Sequence, residues 1–584
     1  MQAKSIFWKI LFSLLLLLSK IKAEQISISL NDISTDTTGD SYKIESKILT
    51  LNKNGDFKIS GICSECQIVI KSGIEIKLII SSIKIDNSNT GPFVIKKQAK
   101  VNLILEGDSI ITDNEPIENE ESTDENIKDA FEGAGIKFKS SSTLIISGTG
   151  KLTINGRTKN GIKGGSKSSL TINDGTIVIS ASKNGLACDN LLTINGGKIQ
   201  ITSQSDGIKA EPDSDDSDSQ GTIIINGGTL TINSQNDAIQ AAYKLIINGG
   251  TFDIITYNGA SSNGFDKDTM SAKGLKSSTN EHENIENNII ITGGTFKLNT
   301  RDDSIHSDYN ITITGGTFDI NTGDDGIHAE QYLVLGKLNA DNSLININIK
   351  QSYEGFEGSN IYIYSGTYNI ISTDDGINSA GDTFDNCDGP GGNMGGQMGP
   401  GKNPNNQGGR PNNINNQCHI FNIFIFGGEI YVNSGSDGLD ANGDINISGG
   451  NIEVWGMPSG GDGDPIDKDG TLTITGGTII AGGSQGMEPI HKSEKTISQN
   501  FIYCTNTFNT NKEINIMNGN NVIKNIKIPK KINYLFYSSK DINSDYKFSE
   551  GTTYFKSGIS DSTKNFDTYL SPLNIYFALI LILL

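Results

Sequence analysis

No HExxH metal helix, P-loop or dinucleotide fingerprint occurs in these 584 residues, so the chemistries those motifs carry have no anchor here. Positive charge is scarce: 47 Lys and Arg stand against 67 Asp and Glu, a formal net charge of −20. That balance argues against nucleic acid as a partner and against simple electrostatic docking on anionic lipid. An acidic polymer remains accessible if a divalent cation sits between the two. Cysteine is sparse, with six residues. Cys63 and Cys66 form a CxxC with no second pair, which reads as a local disulfide rather than half of a zinc site. Cys387 and Cys418 flank a Gly/Asn/Pro-rich loop and are expected to close its base, leaving Cys188 and Cys504 unassigned. Proline is rare at 12 residues and glycine abundant at 68, which with many Asn, Thr, Ile and Ser suits short strands and tight turns.

Long apolar runs are confined to the two ends. Residues 1–23 read as a secretory signal, with Lys4 and Lys9 ahead of the apolar run 10–18 and Ala23 as a small cleavage residue. The run 573–584 is too short to span a bilayer comfortably. Small residues around Ser560, Asp561 and Ser562 precede it, so 561–584 reads as a GPI-type signal. The expected location is extracellular, either secreted or at the cell surface, with the membrane reached through a GPI anchor rather than a spanning helix.

Between these ends two phrases recur. One is I-[NT]-G-G-T, whose second glycine falls at 228, 250, 294, 316 and 477, with looser variants at 175, 197, 366, 428 and 450 and 22 as the smallest spacing. The other is an acid-glycine-hydrophobe step: SDGIKA at 205–210, DDSIHS at 302–307, DDGIHA at 324–329, DDGINS at 374–379 and SDGLDA at 436–441. A period near 22 with β-type residues predicts a parallel β-helix, a solenoid that stacks equivalent positions into columns. Period-two alternation sends Phe252, Phe296, Phe318 and Tyr368 inward as core. The solenoid is expected over 24–495, with loop inserts, and residues 496–560 read as a small antiparallel β cap over its last coil.

Aligned on the step, the preceding residue runs Asn160, Asn184, Asp206, Asp237, Lys273, Asp303, Asp325, Glu354, Asp375, Asp437, Asp464, Glu488. Bare carboxylates about 4.8 Å apart repel by roughly 3.5 kcal/mol at an effective dielectric of 20. Such a column needs solvent, protons or hard cations, and calcium suits its all-oxygen donors. The candidate metal ligands are Asp206, the doubled acids Asp302, Asp303, Asp324, Asp325, Asp374 and Asp375, then Asp437 and Asp440, and the cluster Asp462, Asp464, Asp467 and Asp469. The next column begins with Lys137 and Lys163, passes Lys209, Lys276, His306 and His328, and turns acidic at Glu357, Asp440 and Asp467 before His491. Two outward aromatics, Tyr431 and Trp455, offer flat faces for sugar rings, and Lys209, Lys276 and Arg301 are the basic groups nearest the acids in register.

INGGT/ITGGT, DDGIHA/DDGINS, the segment NTGPFVIKKQAKVNLILEGDSIITD and the Met-bearing Gly/Pro loop together resemble a known family. It is the calcium-containing, carbohydrate-binding parallel β-helix proteins first described in cellulolytic clostridia, similar in fold to polysaccharide lyases. The resemblance spans roughly 45–560 and implies a right-handed, three-faced helix. It also implies calcium on Asp302, Asp303, Asp324, Asp325, Asp374 and Asp375, and binding to cellulose or acidic pectic chains of plant cell walls. Asn replaces Asp in the coils at 159–164 and 183–188, which puts calcium there in doubt. The expected function is non-catalytic, calcium-dependent polysaccharide binding, since the acids are spread along the array as multivalent binding requires. A pectate-lyase-like enzyme using Lys209, Lys276 or Arg301 as base is the alternative, and a structural surface adhesin a third.

Overall fold

A computed structural model describes residues 25–212, 221–278, 288–380, 421–458, 464–486, 488–555 and 558–559. The terminal signal segments, the loop bearing Cys387 and Cys418, and Asp462 lie outside the described residues. Nearly all regular structure is β, and most of it joins a single 46-stranded sheet. No helix among the described residues is long and apolar enough to cross a membrane.

The 22-residue repeat becomes three strands, and each strand pairs in parallel with its counterpart one repeat later. The strand after the double glycine forms one ladder: Lys198–Ser203, Thr229–Ser234, Thr251–Thr256, Thr295–Thr300, Gly316–Thr322. The glycine-hydrophobe step forms a second: Ile208–Ala210, Ile239–Ala241, Leu275–Ser277, Ile305–Ser307, Ile327–Leu335. A third runs through Thr222–Ile225, Lys244–Ile247, Asn288–Ile291 and Asn310–Ile313. All three send alternate residues into one contiguous buried cluster that extends from Ile28 to Phe536.

In-register pairing stacks like on like. The rings of Phe252, Phe296 and Phe318 lie face to face, with centroids 4.5 and 4.4 Å apart. The second glycine of the GG phrase takes a positive φ, 118° at Gly250 and 121° at Gly294, which a side chain would strain. The glycine of the acid-glycine step serves a different purpose. A Cβ on Gly376 would sit 2.1 Å from Val432 Cγ1 and 2.5 Å from Gly438 O, so that glycine permits close approach rather than a left-handed turn.

Past Ile497, whose bridge to Ile474 is still parallel, the pairing turns antiparallel. Tyr534–Ser538 pairs with both Thr478–Gly483 and Phe501–Cys504. A separate 4-stranded antiparallel sheet contains Glu513–Asn518, Asn521–Lys527, Tyr546–Glu550 and Thr553–Tyr554. A second apolar cluster joins this region to Trp455 and Ile480. Cys63 and Cys66 are joined as a disulfide, and Cys188 and Cys504 are buried free thiols.

Candidate cation-binding face

The acid column lies at the entry to the second ladder, where backbone bonds hold it in register. Gly207 N donates to Asp237 O, Gly274 N to Asp303 O, Gly326 N to Glu354 O, Gly355 N to Asp375 O and Gly376 N to Asp437 O. The side chains add a second row of bonds. Asn184 Oδ1 accepts from Asp206 N at 3.1 Å, Asp237 Oδ1 from Lys273 N at 2.8 Å, and Asp303 Oδ1 from Asp325 N at 3.1 Å. Asp325 Oδ1 accepts from Glu354 N at 2.9 Å, and Asp375 Oδ1 from Asp437 N at 2.8 Å. One side-chain oxygen per coil therefore satisfies an otherwise orphaned N–H of the next coil. Asn184 performs that duty without charge, so the charge on the aspartates is surplus to the fold. Something else must balance it.

In the upper coils lysine balances it. Lys276 Nζ lies 3.1 Å from Asp237, and Lys209 pairs with Glu211 at 2.5 Å and Asp206 at 3.4 Å. Burial raises the Asp206 carboxyl to about 6, with Asp237 adding to the shift. Lys273 replaces the acid in its own coil and bridges Asp302 at 2.8 Å and Asp303 at 2.6 Å. Burial works against the Asp303 carboxylate, yet the Lys273 ammonium and the His306 ring hold it well below the usual range. Asp324 is paired with Lys267 at 2.8 Å. His306 sits between Asp303 at 2.9 Å and Asp308 at 3.0 Å; burial and Lys273 oppose its protonation, but the two carboxylates carry it up to about 9. The expectation of calcium on Asp302 and Asp303 meets a site where Lys273 already supplies the cation.

Below His306 the balance fails. His328 stands beside it, ring centroids 4.8 Å apart, and burial together with the His306 charge drops its pKa to about 3. Among the described residues, no Lys or Arg forms an ion pair with Asp325, Glu354, Glu357, Asp375, Asp437 or Asp440. Burial, reinforced by Glu357, pushes Glu354 to about 9, and burial with Asp375 pushes Asp437 to about 8. Glu357, Asp440 and Asp464 rise to about 7, burial again the largest cause. Burial raises Asp325 and Asp375 as well. Register places Glu357 against Asn378 and Asn378 against Asp440, while Ile466 bridges to Leu439 and so sets Asp467 on the following coil. Two buried oxygens here, Asn378 Oδ1 and Asp464 Oδ1, have no hydrogen-bond donor. Stacked carboxyls and an amide oxygen, with no lysine in ion-pair contact among the described residues, are a donor set that could hold a hard divalent cation.

Residues beside the row, and the remaining expected site residues, are placed as follows. Tyr353, with its pKa raised to a value above the ordinary phenol range chiefly by Asp374, hydrogen-bonds that carboxylate. Lys468, beside Asp467 and Asp469, pairs with Glu488 at 3.0 Å. Arg301 is turned away from the acids: its Nε donates to Ser262 O at 2.9 Å and its guanidinium lies over Phe265. Tyr431 does share the outward column of Asp319 and Glu453, but it is half-buried against the C-terminal cluster.

Trp455 requires a correction. Alternation placed it outward beside Asn433, and the register agrees, yet its side chain is fully buried under Ile480, Ile532 and their neighbours. The C-terminal strands cover that outward face, so the indole offers no open ring to a sugar. An aromatic surface unforeseen in the sequence lies on the third ladder. Tyr362 stacks on Phe424 at 4.9 Å and Tyr364 on Phe426 at 4.8 Å. Tyr364 and Phe426 border an open cleft with Asn339, Asn342, Glu429 and Asn451. The signal was available, since these aromatics occupy equal phase in consecutive coils.

A family model described as "Carbohydrate-binding domain-containing protein" matches residues 45–326. Among solved structures, the chain is similar to the gadolinium derivative of a polysaccharide lyase-like protein from C. thermocellum. The two share 27% identity over 40% of this chain and 91% of that chain, with a TM-score of 0.34. No curated protein matches the chain.

Proposed function

We propose that this protein binds acidic polysaccharide through calcium held on the lower half of its acid column, and that it does not cleave what it binds. The observation that carries this reading is the run of buried and half-buried carboxyls from Glu354 to Asp467, none of which forms an ion pair with Lys or Arg among the described residues. A calcium ion shared between such a row and uronate groups would satisfy both partners, and one ion per coil would give multivalent attachment. The family model supports carbohydrate as the ligand class. In this reading the three ladders close as a right-handed parallel β-helix over 24–495, capped by 496–560. The open cleft at Tyr364 and Phe426 supplies ring stacking, with Asn339, Asn342 and Asn451 as hydroxyl partners.

Binding is favoured over elimination by the state of the basic groups. A lyase needs a base beside its cation to remove the proton α to the uronate carboxylate. Lys209 and Lys276 are held in ion pairs on coils above the unpaired row, and Arg301 faces elsewhere. Secretion by 1–23 and GPI attachment by 561–584 would place the binding face outside the cell, against cell-wall polymers such as pectate or cellulose.

One assay separates the readings. The protein is mixed with polygalacturonate, with and without EGTA, and both co-sedimentation and the absorbance of unsaturated uronides are recorded. Co-sedimentation lost in EGTA, with flat absorbance, is the expected result. Absorbance that grows with calcium would establish the lyase. Absence of binding to pectate, cellulose and xylan alike would leave the adhesin.

A further inference from the structure

We propose that Asp325, His328 and Glu357 form a transition-metal site for a zinc-class divalent ion, distinct in chemistry from the calcium row beneath it. This inference stands without the polysaccharide reading, because it concerns only donor atoms and their spacing. The three residues meet where the lysine-neutralised coils give way to the unpaired ones. His328 and Glu357 are adjacent in the second ladder, and Asp325 sits three residues before His328 on the same coil.

The geometry suits a small ion. His328 Nδ1 lies 3.1 Å from Glu357 Oε2 and 3.8 Å from Asp325 Oδ2, and one donor atom from each residue falls within 4.8 Å of the others. Zinc bonds of about 2.0–2.1 Å at tetrahedral angles place donor atoms ~3.3 Å apart, between the two measured separations. Two carboxylates and a neutral imidazole carry a formal charge of −2, which a divalent ion cancels. The nitrogen donor favours a borderline metal over calcium, which takes oxygen. Asp325 is also positioned to ligate, because its Oδ1 is fixed by Glu354 N at 2.9 Å while Oδ2 faces the histidine. On the far side of the ring, His328 Nε2 lies 3.6 Å from Glu330 Oε1, where an outer carboxylate steadies a ligating imidazole.

Neighbouring combinations fit less well. In the set Asp303, His306 and His328, both nitrogens of His306 already face carboxylates, and Lys273 holds Asp303 Oδ2 at 2.6 Å. In the set Asp302, Asp303 and Asp324, Lys273 and Lys267 occupy the space a cation would take.

The test uses the full chain, stripped with chelator and titrated with zinc and with cobalt in excess calcium. The expected result is one zinc bound per chain, with a cobalt complex whose absorption reports tetrahedral or five-coordinate nitrogen–oxygen ligation. His328→Ala lowers zinc affinity by roughly a hundredfold or more, beyond the loss typical of an outer partner. Glu357→Gln lowers it too, whereas His306→Gln leaves it within a fewfold. A retained β-type circular dichroism spectrum and a cooperative thermal transition in metal-free buffer check that each variant is folded. Zinc displaced by calcium, zinc affinity indifferent to His328→Ala and Glu357→Gln, or affinity lost in His306→Gln would each overturn the assignment.

Discussion

The carboxylate of Asp303 divides its oxygens between unlike tasks: Oδ1 accepts the N–H of Asp325 in the next coil at 3.1 Å, while Oδ2 faces Lys273 and His306. Asn184 performs the first task alone, which separates what the fold needs from what the charge adds. Asp437 illustrates the consequence. Its Oδ1 serves Asp464 N, and Asn at this position keeps that acceptor. Asp437→Asn is therefore expected to leave metal-free stability unchanged or slightly higher while shrinking the stabilisation by calcium, as read by thermal unfolding in EGTA and in calcium. Lys273→Met should behave in the opposite sense. It leaves Asp302 and Asp303 buried without their cation, at a cost of about 3–5 kcal/mol in denaturant unfolding. Adding Asp302→Asn and Asp303→Asn to that variant should restore most of the loss. The raised carboxyls also set a pH dependence. Glu354 near 9, Asp437 near 8 and Asp440 near 7 bind protons in the folded chain that ordinary carboxyls release near 4. The folded state thus holds more protons across that window, so metal-free stability is greatest near pH 4–5 and falls as pH rises through 7–9. Saturating calcium should flatten the fall; an equal slope with and without calcium would refute a cation on these groups.

At the scale of the strand, like residues stack because parallel pairing keeps exact phase from coil to coil. The Phe252–Phe296–Phe318 stack makes this testable. Phe296 is buried between two rings, and Phe296→Ala opens a cavity that its in-register neighbours cannot fill. The expected cost is about 3–5 kcal/mol in denaturant unfolding. This part of the architecture was legible in the sequence, since a 22-residue period and period-two alternation suffice to place Phe252, Phe296 and the acid column. Trp455 was not, because the strand Tyr534–Ser538 that helps bury it belongs to an antiparallel unit outside the repeat. Lys273 was visible only as a gap in the acid column. Its role emerged from its two ion pairs, which depend on side-chain reach between coils rather than on spacing. Glu354 and Glu357 were in register but lacked the Asp-Gly signature, and so escaped the list of ligands despite standing at the top of the unpaired row.

Across the whole molecule the acid column divides into two regimes. From Asp206 to Asp324 lysines neutralise it internally; from Asp325 onward burial and mutual repulsion hold protons on carboxyls that have no lysine partner among the described residues. A cation that displaces those protons would ionise the row, and this face is the one where a cation and an acidic polymer can meet. Cations that bind only the folded face raise stability by about 2.7 kcal/mol per site at a hundredfold excess over the dissociation constant. The most direct measurement is a crystal structure grown in calcium, with anomalous difference density used to identify the ions. The account predicts calcium peaks along the face from Glu354 to Asp467, with Asn378 Oδ1 among the ligands and no peak displacing Lys273 from Asp302 and Asp303. Density confined to the upper coils at Asp206, Asp302 and Asp303, or a lower face without calcium, would contradict it.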